Sequence, residues 1–181
     1  MLNIDLEASK IVASLIEKVV PPLLGVITGW WLKERSDSRR WKREKESEKK
    51  AFCSALVCEI EGIRERYMEA IGSEIEKVSP GDFLRRAVVI KEDYFTVFEA
   101  NAAKIGLLKP DDAKQVVAFY IAAKGQADSL RTYKMLLDEV SSHATGPTQG
   151  PALRAYTEQL KDAQKALIHL ADLATSALRN S

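Results

Sequence analysis

Residues 52–78 read FCSALVCEIEGIRERYMEAIGSEIEKV, and the spacing of the apolar side chains in this stretch decides the fold class. Apolar residues recur every three or four positions, which is the period of one face of an α-helix. The members of this stripe are Phe52, Leu56, Ile60, Ile63, Tyr67, Ile71 and Ile75 or Val78. The pattern predicts an amphipathic helix of about seven turns, which the breakers Ser79-Pro80-Gly81-Asp82 end.

Two further long helices are predicted C-terminal to this stretch. One begins at Pro110, a residue suited to a first helical turn, and runs to about Val140. The polar, glycine- and proline-containing segment 141–150 predicts a loop, and residues 153–178 then carry a near-heptad apolar stripe. Between the long helices, residues 83–90 are expected to form an extended connector or a short helix rather than a lone strand. Residues 94–108 predict a short helix.

The composition fits one folded module and narrows its function. The 181 residues are 46% hydrophobic and 29% charged, which excludes a disordered, collagen-like or multi-span chain. A net charge of +1 provides no global field for nucleic acid. The two cysteines, Cys53 and Cys58, are expected to be small core residues that cannot pair within one helix. The two histidines have no partners at metal-ligand spacing.

The N-terminal segment predicts a membrane anchor. Residues 11–32 read IVASLIEKVVPPLLGVITGWWL, with Glu17 and Lys18 as the only charges. As a helix this run is roughly 33 Å long, enough for a hydrocarbon core of about 30 Å. Pro21 and Pro22 predict a kink. The alternatives are an apolar hairpin helix of a soluble bundle and a helix that lies in the membrane interface.

The flanks of this run predict its orientation. Paired tryptophans lie at the end of the run and a basic segment follows it, and both favour the headgroup zone of the cytoplasmic side. The residues assigned to this membrane interface are Trp30, Trp31, Lys33, Arg35, Arg39 and Arg40. We therefore expect a bacterial inner (plasma) membrane protein with its N-terminus outside and its C-terminal body in the cytoplasm. A cleavable signal peptide fits poorly, because its basic residues would precede the apolar run.

A narrow polar stripe precedes the prolines. Glu7, Lys10, Ser14 and Glu17 follow helical spacing on an otherwise apolar helix. Such a stripe suits a helix in the interface, and it would also line the polar lumen of an oligomeric bundle.

The fold class predicted from these patterns is all-α, in three parts. Residues 1–32 form the membrane-associated segment, with a helix kinked at Pro21-Pro22. Residues 33–50 form a charged helical stalk, in which nine basic and five acidic side chains interleave and thereby weaken a nucleic-acid patch. Residues 51–181 form an antiparallel helical bundle in the cytoplasm.

No catalytic signature is present in the sequence. The chain has no phosphate loop, no Gly-x-Ser-x-Gly and no His-Glu-x-x-His, so we expect neither an enzyme nor a cofactor. Glu59 and Glu61 are interpreted as surface charges or helix caps. Asn101, inside the predicted helix 94–108, would fix a helix crossing or mark a ligand pocket.

One block of sequence resembles a known pattern. Val97-Phe98-Glu99-Ala100-Asn101-Ala102 with Lys104-Ile105-Gly106-Leu107-Leu108, followed by Val116-Val117 and Phe119-Tyr120, is similar to small bacterial membrane-anchored proteins of unknown function. The resemblance covers roughly residues 11–135 and implies a cytoplasmic helical domain on an anchor. Some proteins of this build resemble membrane effectors of anti-phage systems. No activity is implied for particular residues.

The expected function is that of a membrane-anchored interaction or scaffolding module. The alternatives are an oligomerising, membrane-perturbing effector and a soluble helical-bundle binding protein. The expected partners are the lipid bilayer and either a second copy of the chain or another protein, with no nucleic acid and no evident small-molecule substrate. A stripe of period 3.5 suits self-association, and the expected assembly face is Phe52, Leu56, Ile60, Ile63 and Tyr67.

Overall fold

A computed structural model of the chain describes residues 40–88, 92–142 and 149–181. All regular secondary structure in these ranges is helical, which confirms the all-α prediction. Backbone contacts divide the chain into two compact units, Met1–Glu48 and Lys49–Ser181. The described residues of the first unit, 40–48, are helical and exposed. The predicted membrane helix, its kink and most of the stalk lie outside the described residues.

The stretch that decides the fold class is helical along nearly its whole length. Helix α1 covers residues 40–67, a π-helical turn follows at Met68–Gly72, and helix α2 covers Ser73–Lys77. Val78 is extended, with ψ 123°, and Gly81 has φ +81°, a conformation that glycine adopts without strain. The helix therefore ends where the Ser-Pro-Gly-Asp sequence predicts, while the π turn inside it was not predicted.

The connection to the next long helix has an irregular half and a helical half. Residues 82–88 have no regular secondary structure. A 3₁₀ helix at Glu92–Phe95, helix α3 at Thr96–Ala100 and a second 3₁₀ helix at Ala102–Leu107 then follow. The prediction of one helix over residues 94–108 is therefore wrong, because this stretch is divided into three short helical segments.

The break in this helix has a local cause at Asn101. Its backbone leaves the helical region, with φ −119° and ψ 17°. Its side-chain Nδ2 donates to the Val97 carbonyl at 2.9 Å, a local bond that competes with helix propagation. Asn101 is half-buried and ends α3, and its side chain bonds the backbone of its own helix.

Two long helices complete the body. Helix α4 covers Pro110–Ser142 and helix α5 covers Gln149–Arg179, and they pack along each other as a hairpin. Asp111 and Asp112 lie in the first turn of α4, where their charges favour the helix dipole.

Ion pairs between α1 and α5 show that these helices are antiparallel. Arg64 Nη1 lies 2.7 Å from Asp172 Oδ1, and Arg179 Nη2 lies 2.5 Å from Glu61 Oε1. Residues further along α1 therefore pair with residues earlier in α5.

The direction of α1 and α4 is the same, which differs from an up-and-down bundle. Glu59 bonds to Tyr120, and Tyr67 further along α1 bonds to Gln126 further along α4. The long connection over residues 78–109 brings the chain back along α1, so that α4 can run parallel to α1.

The core of the body lies between these helices and the connection. Its large, fully buried side chains include Leu56, Ile60, Ile71, Val116, Phe119, Tyr120, Leu130, Tyr133, Leu153 and Leu160. Cys53 is buried as expected, whereas the core prediction for Cys58 is wrong because its side chain is exposed. Val117, unlike its buried neighbour Val116, is 37% exposed.

Candidate functional site

A hydrogen-bonded polar cluster lies inside the bundle, where α1, α4 and α5 meet. The Tyr67 hydroxyl donates to Gln164 Oε1 at 2.9 Å and accepts from Gln126 Nε2 at 2.8 Å. All three side chains are buried, at 5% exposure for Tyr67 and 2% for each glutamine. Buried polar groups of this kind are stable only when they are paired, so the cluster fixes how the three helices meet.

The π turn supplies one partner of this cluster. In a π turn the backbone bonds span five residues, as the Ser73 amide shows by donating to the Met68 carbonyl. Gln164 Nε2 donates to the Gly72 carbonyl at 3.2 Å and to Glu76 Oε1 at 3.1 Å. A side chain of α5 therefore bonds the backbone at the end of the π turn.

One atom of the cluster has no partner. Gln126 Oε1 is buried and has no hydrogen bond from any described residue. The orientation of the amide is fixed by its nitrogen, because Nε2 donates to both the Tyr67 hydroxyl and the Leu160 carbonyl, the latter at 3.4 Å. A flipped amide would place oxygen against the Leu160 carbonyl oxygen, where neither group can donate.

A small cavity adjoins this cluster. Its volume is about 60 Å³. The side chains that line it come from α1, the π turn, the connection, α4 and α5, and most of them are apolar. They are Ile63, Arg66, Tyr67, Ala70, Val88, Tyr94, Phe95, Ala123, Gln126 and Leu167.

The electrostatics of the cluster keep Tyr67 neutral. Burial is the largest influence, and with the negative charge of Glu76 it raises the pKa of Tyr67 to about 12, while the hydrogen bond from Gln126 acts in the opposite direction. A neutral hydroxyl both donates and accepts, as its two hydrogen bonds require.

A second polar cluster centres on Glu59 of α1. Its Oε1 accepts from the Val97 amide at 2.6 Å, and its Oε2 accepts from the Phe98 amide at 3.0 Å and from the Tyr120 hydroxyl at 2.5 Å. Val97 and Phe98 lie in the first turn of α3, where backbone amides have no partner within the helix. Glu59 therefore caps a helix that is distant in sequence.

An aromatic contact between Phe98 and Tyr120 also holds this cluster together. The Phe98 and Tyr120 rings stack, with centroids 4.0 Å apart and an angle of 15° between planes. Burial, followed by the hydrogen bond to Glu59 and the charge of Glu59, raises the pKa of Tyr120 well above its usual range.

A third set of bonds anchors Leu84 of the connection. The Leu84 amide donates to Thr157 Oγ1 at 3.2 Å, and the Leu84 carbonyl accepts from the Tyr133 hydroxyl at 2.5 Å. Leu84 itself is 3% exposed, so its backbone could not be satisfied by water. Burial also raises the pKa of Tyr133.

Of the membrane-interface and polar-stripe residues predicted from sequence, most lie outside the described residues. The polar stripe Glu7, Lys10, Ser14 and Glu17 lies outside the described residues, as do the interface residues Trp30, Trp31, Lys33, Arg35 and Arg39. Arg40 is described: its side chain is 81% exposed, and its Nε lies 3.0 Å from Glu44 Oε1.

The stripe expected to be an assembly face is covered within the chain. Phe52, Leu56, Ile60 and Tyr67 are buried in the core of the body, and Ile63 is half-buried and lines the cavity. An assembly face needs exposed side chains, whereas these pack against the protein's own helices.

Gln126 and Gln164 were not predicted to be site residues. Their sequence signal is positional: Gln126 lies three residues after Ala123 and four before Leu130, and Gln164 lies four after Leu160 and three before Leu167. A polar residue on an apolar stripe must find a buried partner, which is the feature that would have identified both.

The described part of the chain has no group of three or more histidine, cysteine, aspartate or glutamate side chains placed to hold a metal ion. Within residues 40–88, 92–142 and 149–181, no helix combines the length and the apolar character that crossing a bilayer requires. Comparisons of the chain with models of protein families, with curated proteins and with solved structures found no match in any of the three.

Proposed function

We propose that this protein is a membrane-anchored helical interaction module without catalytic activity. In this proposal residues 11–32 hold the chain in the inner membrane of a bacterium, and the helical body lies in the cytoplasm, where it binds a second copy of the chain or another protein. The charged stalk, residues 33–50, separates the two.

One observation carries the proposal: the order of segments along the chain. An apolar run of membrane-spanning length ends in Trp30-Trp31-Leu32 and is followed directly by a segment with nine basic and five acidic residues. A helical body with its own buried core follows. Tryptophans and basic residues on one side of an apolar run favour an anchor whose following domain is cytoplasmic.

Membrane fractionation of the full-length chain tests the anchor. We expect the protein to remain in the membrane pellet after an alkaline carbonate wash and to be released by detergent. Leu24→Arg with Ile27→Arg places two charges in the apolar run and should move most of the protein to the soluble fraction. The matched control, Ser36→Arg with Ser38→Arg, adds the same charge after the run and should stay in the pellet. Wild-type protein that is soluble without detergent would instead indicate a soluble helical-bundle binding protein.

A second candidate function is an oligomerising membrane-perturbing effector, and the stripe Glu7, Lys10, Ser14 and Glu17 favours it. A membrane-potential dye distinguishes the two functions after induction in a bacterium. Depolarisation by the wild type that Glu17→Leu abolishes would support the effector. An unchanged potential with wild-type protein in the membrane pellet would support the interaction module.

A further inference from the structure

Trp41 is exposed on the part of α1 that belongs to the stalk. Residues 40–48 are helical, and Trp41 is 58% exposed, so most of its side chain faces solvent. It is the largest of the exposed apolar side chains in the described part of the chain. An indole combines a large apolar ring with one N–H donor, and this combination favours the boundary between water and an apolar phase.

Two exposed lysines share a face of the helix with Trp41. At 3.6 residues per turn, Trp41, Lys45 and Lys42 follow one another around the helix within an arc of about 100°. Lys45 Nζ lies 4.4 Å from the centre of the Trp41 ring, a cation–π contact that shows that these two side chains meet. We call Trp41, Lys42 and Lys45 the Trp41 face.

The acidic residues of this segment lie outside the Trp41 face. By the same geometry, Glu44 and Glu48 lie on one side of it and Glu46 lies on the other. Glu44 Oε1 accepts from Arg40 Nε at 3.0 Å, so this charge is balanced within the helix. The Trp41 face therefore presents two positive charges beside one aromatic ring.

The charge and the position of this face favour lipid as its partner. The same face of a second copy of the chain would bring like charges together. Trp41 follows Leu32, the end of the apolar run, by nine residues, which span no more than about 32 Å even when fully extended. A face tethered so close to a bilayer meets it at a high effective concentration, so the weak attraction of single lysines to an anionic surface is sufficient.

We propose that the Trp41 face is a second membrane contact, which binds anionic phospholipids. The indole lies at the level of the headgroups, and the two lysines bind lipid phosphates. The start of α1 then lies along the membrane surface. This inference rests on the proposed function, because the anchor keeps the face within reach of the bilayer.

Fluorescence of the full-length chain in lipid vesicles tests this contact. Trp30→Phe with Trp31→Phe leaves Trp41 as the single tryptophan, because the sequence holds three. The vesicles consist of phosphatidylcholine alone or with one-third phosphatidylglycerol, each with and without a spin-labelled headgroup as quencher. We expect blue-shifted, quenched Trp41 emission in the anionic vesicles and the emission of an exposed indole in the neutral ones. Salt at about 0.5 M should reverse most of this difference.

Two double variants in this background separate the face from net charge. Lys42→Glu with Lys45→Glu should lower the ratio of membrane-bound to free Trp41 by at least about twentyfold, because each lysine near an anionic surface contributes roughly fivefold. The matched control, Arg43→Glu with Lys50→Glu, makes the same change in charge on the opposite side of the helix. It should stay close to the parent protein, because a helix about 10 Å in diameter exceeds the Debye length of about 8 Å at physiological ionic strength.

An alkaline carbonate wash of the same vesicles separates this inference from the proposed function. Protein that is retained in both lipids with equal Trp41 emission in both would overturn the contact and leave the anchor intact. Equal losses of signal in the two double variants would also overturn it. So would a blue shift in phosphatidylcholine alone that grows with the number of copies per vesicle, which would indicate contact with a second copy. Protein lost from both kinds of vesicle would overturn the proposed function, and this inference with it.

Discussion

The carboxylate of Glu59 satisfies three donors from two other parts of the chain: the amides of Val97 and Phe98 and the hydroxyl of Tyr120. An amide side chain at this position would turn an NH₂ group toward at least one of these donors. Glu59→Gln should therefore lower the free energy of unfolding by about 1–3 kcal/mol, the usual cost of a buried donor left unpaired. Urea unfolding followed by circular dichroism measures this change.

Glu61→Gln is the control for that substitution. Glu61 lies two residues further along the same helix and pairs with Arg179 at the surface, where the two side chains are 44% and 62% exposed. Exposed pairs contribute about 1 kcal/mol or less. Equal losses for the two variants would mean that Glu59 does not cap α3.

The two buried glutamines should differ in their effect on stability. Gln164→Leu leaves the Tyr67 hydroxyl without its acceptor and removes one donor to the Gly72 carbonyl. Gln126→Leu removes the unpaired oxygen, and Tyr67 still donates to Gln164. Gln164→Leu should therefore cost about 1–3 kcal/mol more than Gln126→Leu, on the scale of one buried group left unpaired. Urea midpoints of both variants measure the difference, and a larger loss for Gln126→Leu would contradict the arrangement of donors given above.

At the scale of elements, the π turn leaves little space for a side chain at Gly72. A Cβ at Gly72 would lie 2.5 Å from Met68 Sδ and 3.0 Å from Tyr67 Cε1. Met68 can move, but the Tyr67 ring is held by its hydroxyl in the polar cluster. Gly72→Ala should therefore destabilise the body by about 1–3 kcal/mol, a typical cost of overpacking. Thermal or urea unfolding tests this expectation.

Gly62 provides the matched comparison in α1. A Cβ there meets nothing within 4 Å. Gly62→Ala should therefore stabilise the protein by up to about 1 kcal/mol through helix propensity alone. If Gly72→Ala were as stabilising as Gly62→Ala, the close approach at the π turn would be absent in solution.

Helical periodicity could predict elements but not their irregularities. The stripe from Phe52 to Ile75 predicts a helix, because burial on one face needs only the period of the apolar residues. The π turn at Met68–Gly72 does not change that period enough to be visible in sequence. The break at Asn101 also escaped prediction, because its cause is a side-chain bond to Val97 that competes with an otherwise apolar helical pattern.

The candidate site was less predictable than the fold for the same reason. Gln126 and Gln164 occupy positions on apolar stripes, so sequence marks them as exceptions. Their partner Tyr67 is on a different helix, and only the packing of α1 against α4 and α5 brings the three together. Glu59 is an extreme case, since it caps α3 from 37 residues before its first residue, Thr96.

At the scale of the whole molecule, direction and pairing of helices depend on the connections. Short loops favour antiparallel neighbours, and α4 and α5 follow that rule. The longer connection over residues 78–109 lets α1 and α4 run parallel, and its Leu84 occupies a buried position against Tyr133 and Thr157. A stripe that could have served self-association is thereby covered within the body.

The buried tyrosines predict how the stability of the body depends on pH. Tyr67 has a pKa of about 12 in the folded protein against 10.0 for an unperturbed tyrosine, and the pKa values of Tyr120 and Tyr133 are raised as well. Below about pH 10 both folded and unfolded chains keep these protons, and the tyrosines contribute no pH dependence. Above it the unfolded chain releases protons that the folded chain retains, so stability falls as pH rises.

This loss should be steep and attributable to single residues. Each tyrosine that is protonated only in the folded state contributes a slope of about 1.4 kcal/mol per pH unit. Urea unfolding at intervals between about pH 9 and about pH 12 measures the total slope. Tyr67→Phe removes one titrating group, so its stability should be lower than that of the wild type at neutral pH but should fall less steeply above about pH 10. Identical slopes for the two proteins would mean that Tyr67 titrates normally and that the polar cluster does not keep it from solvent.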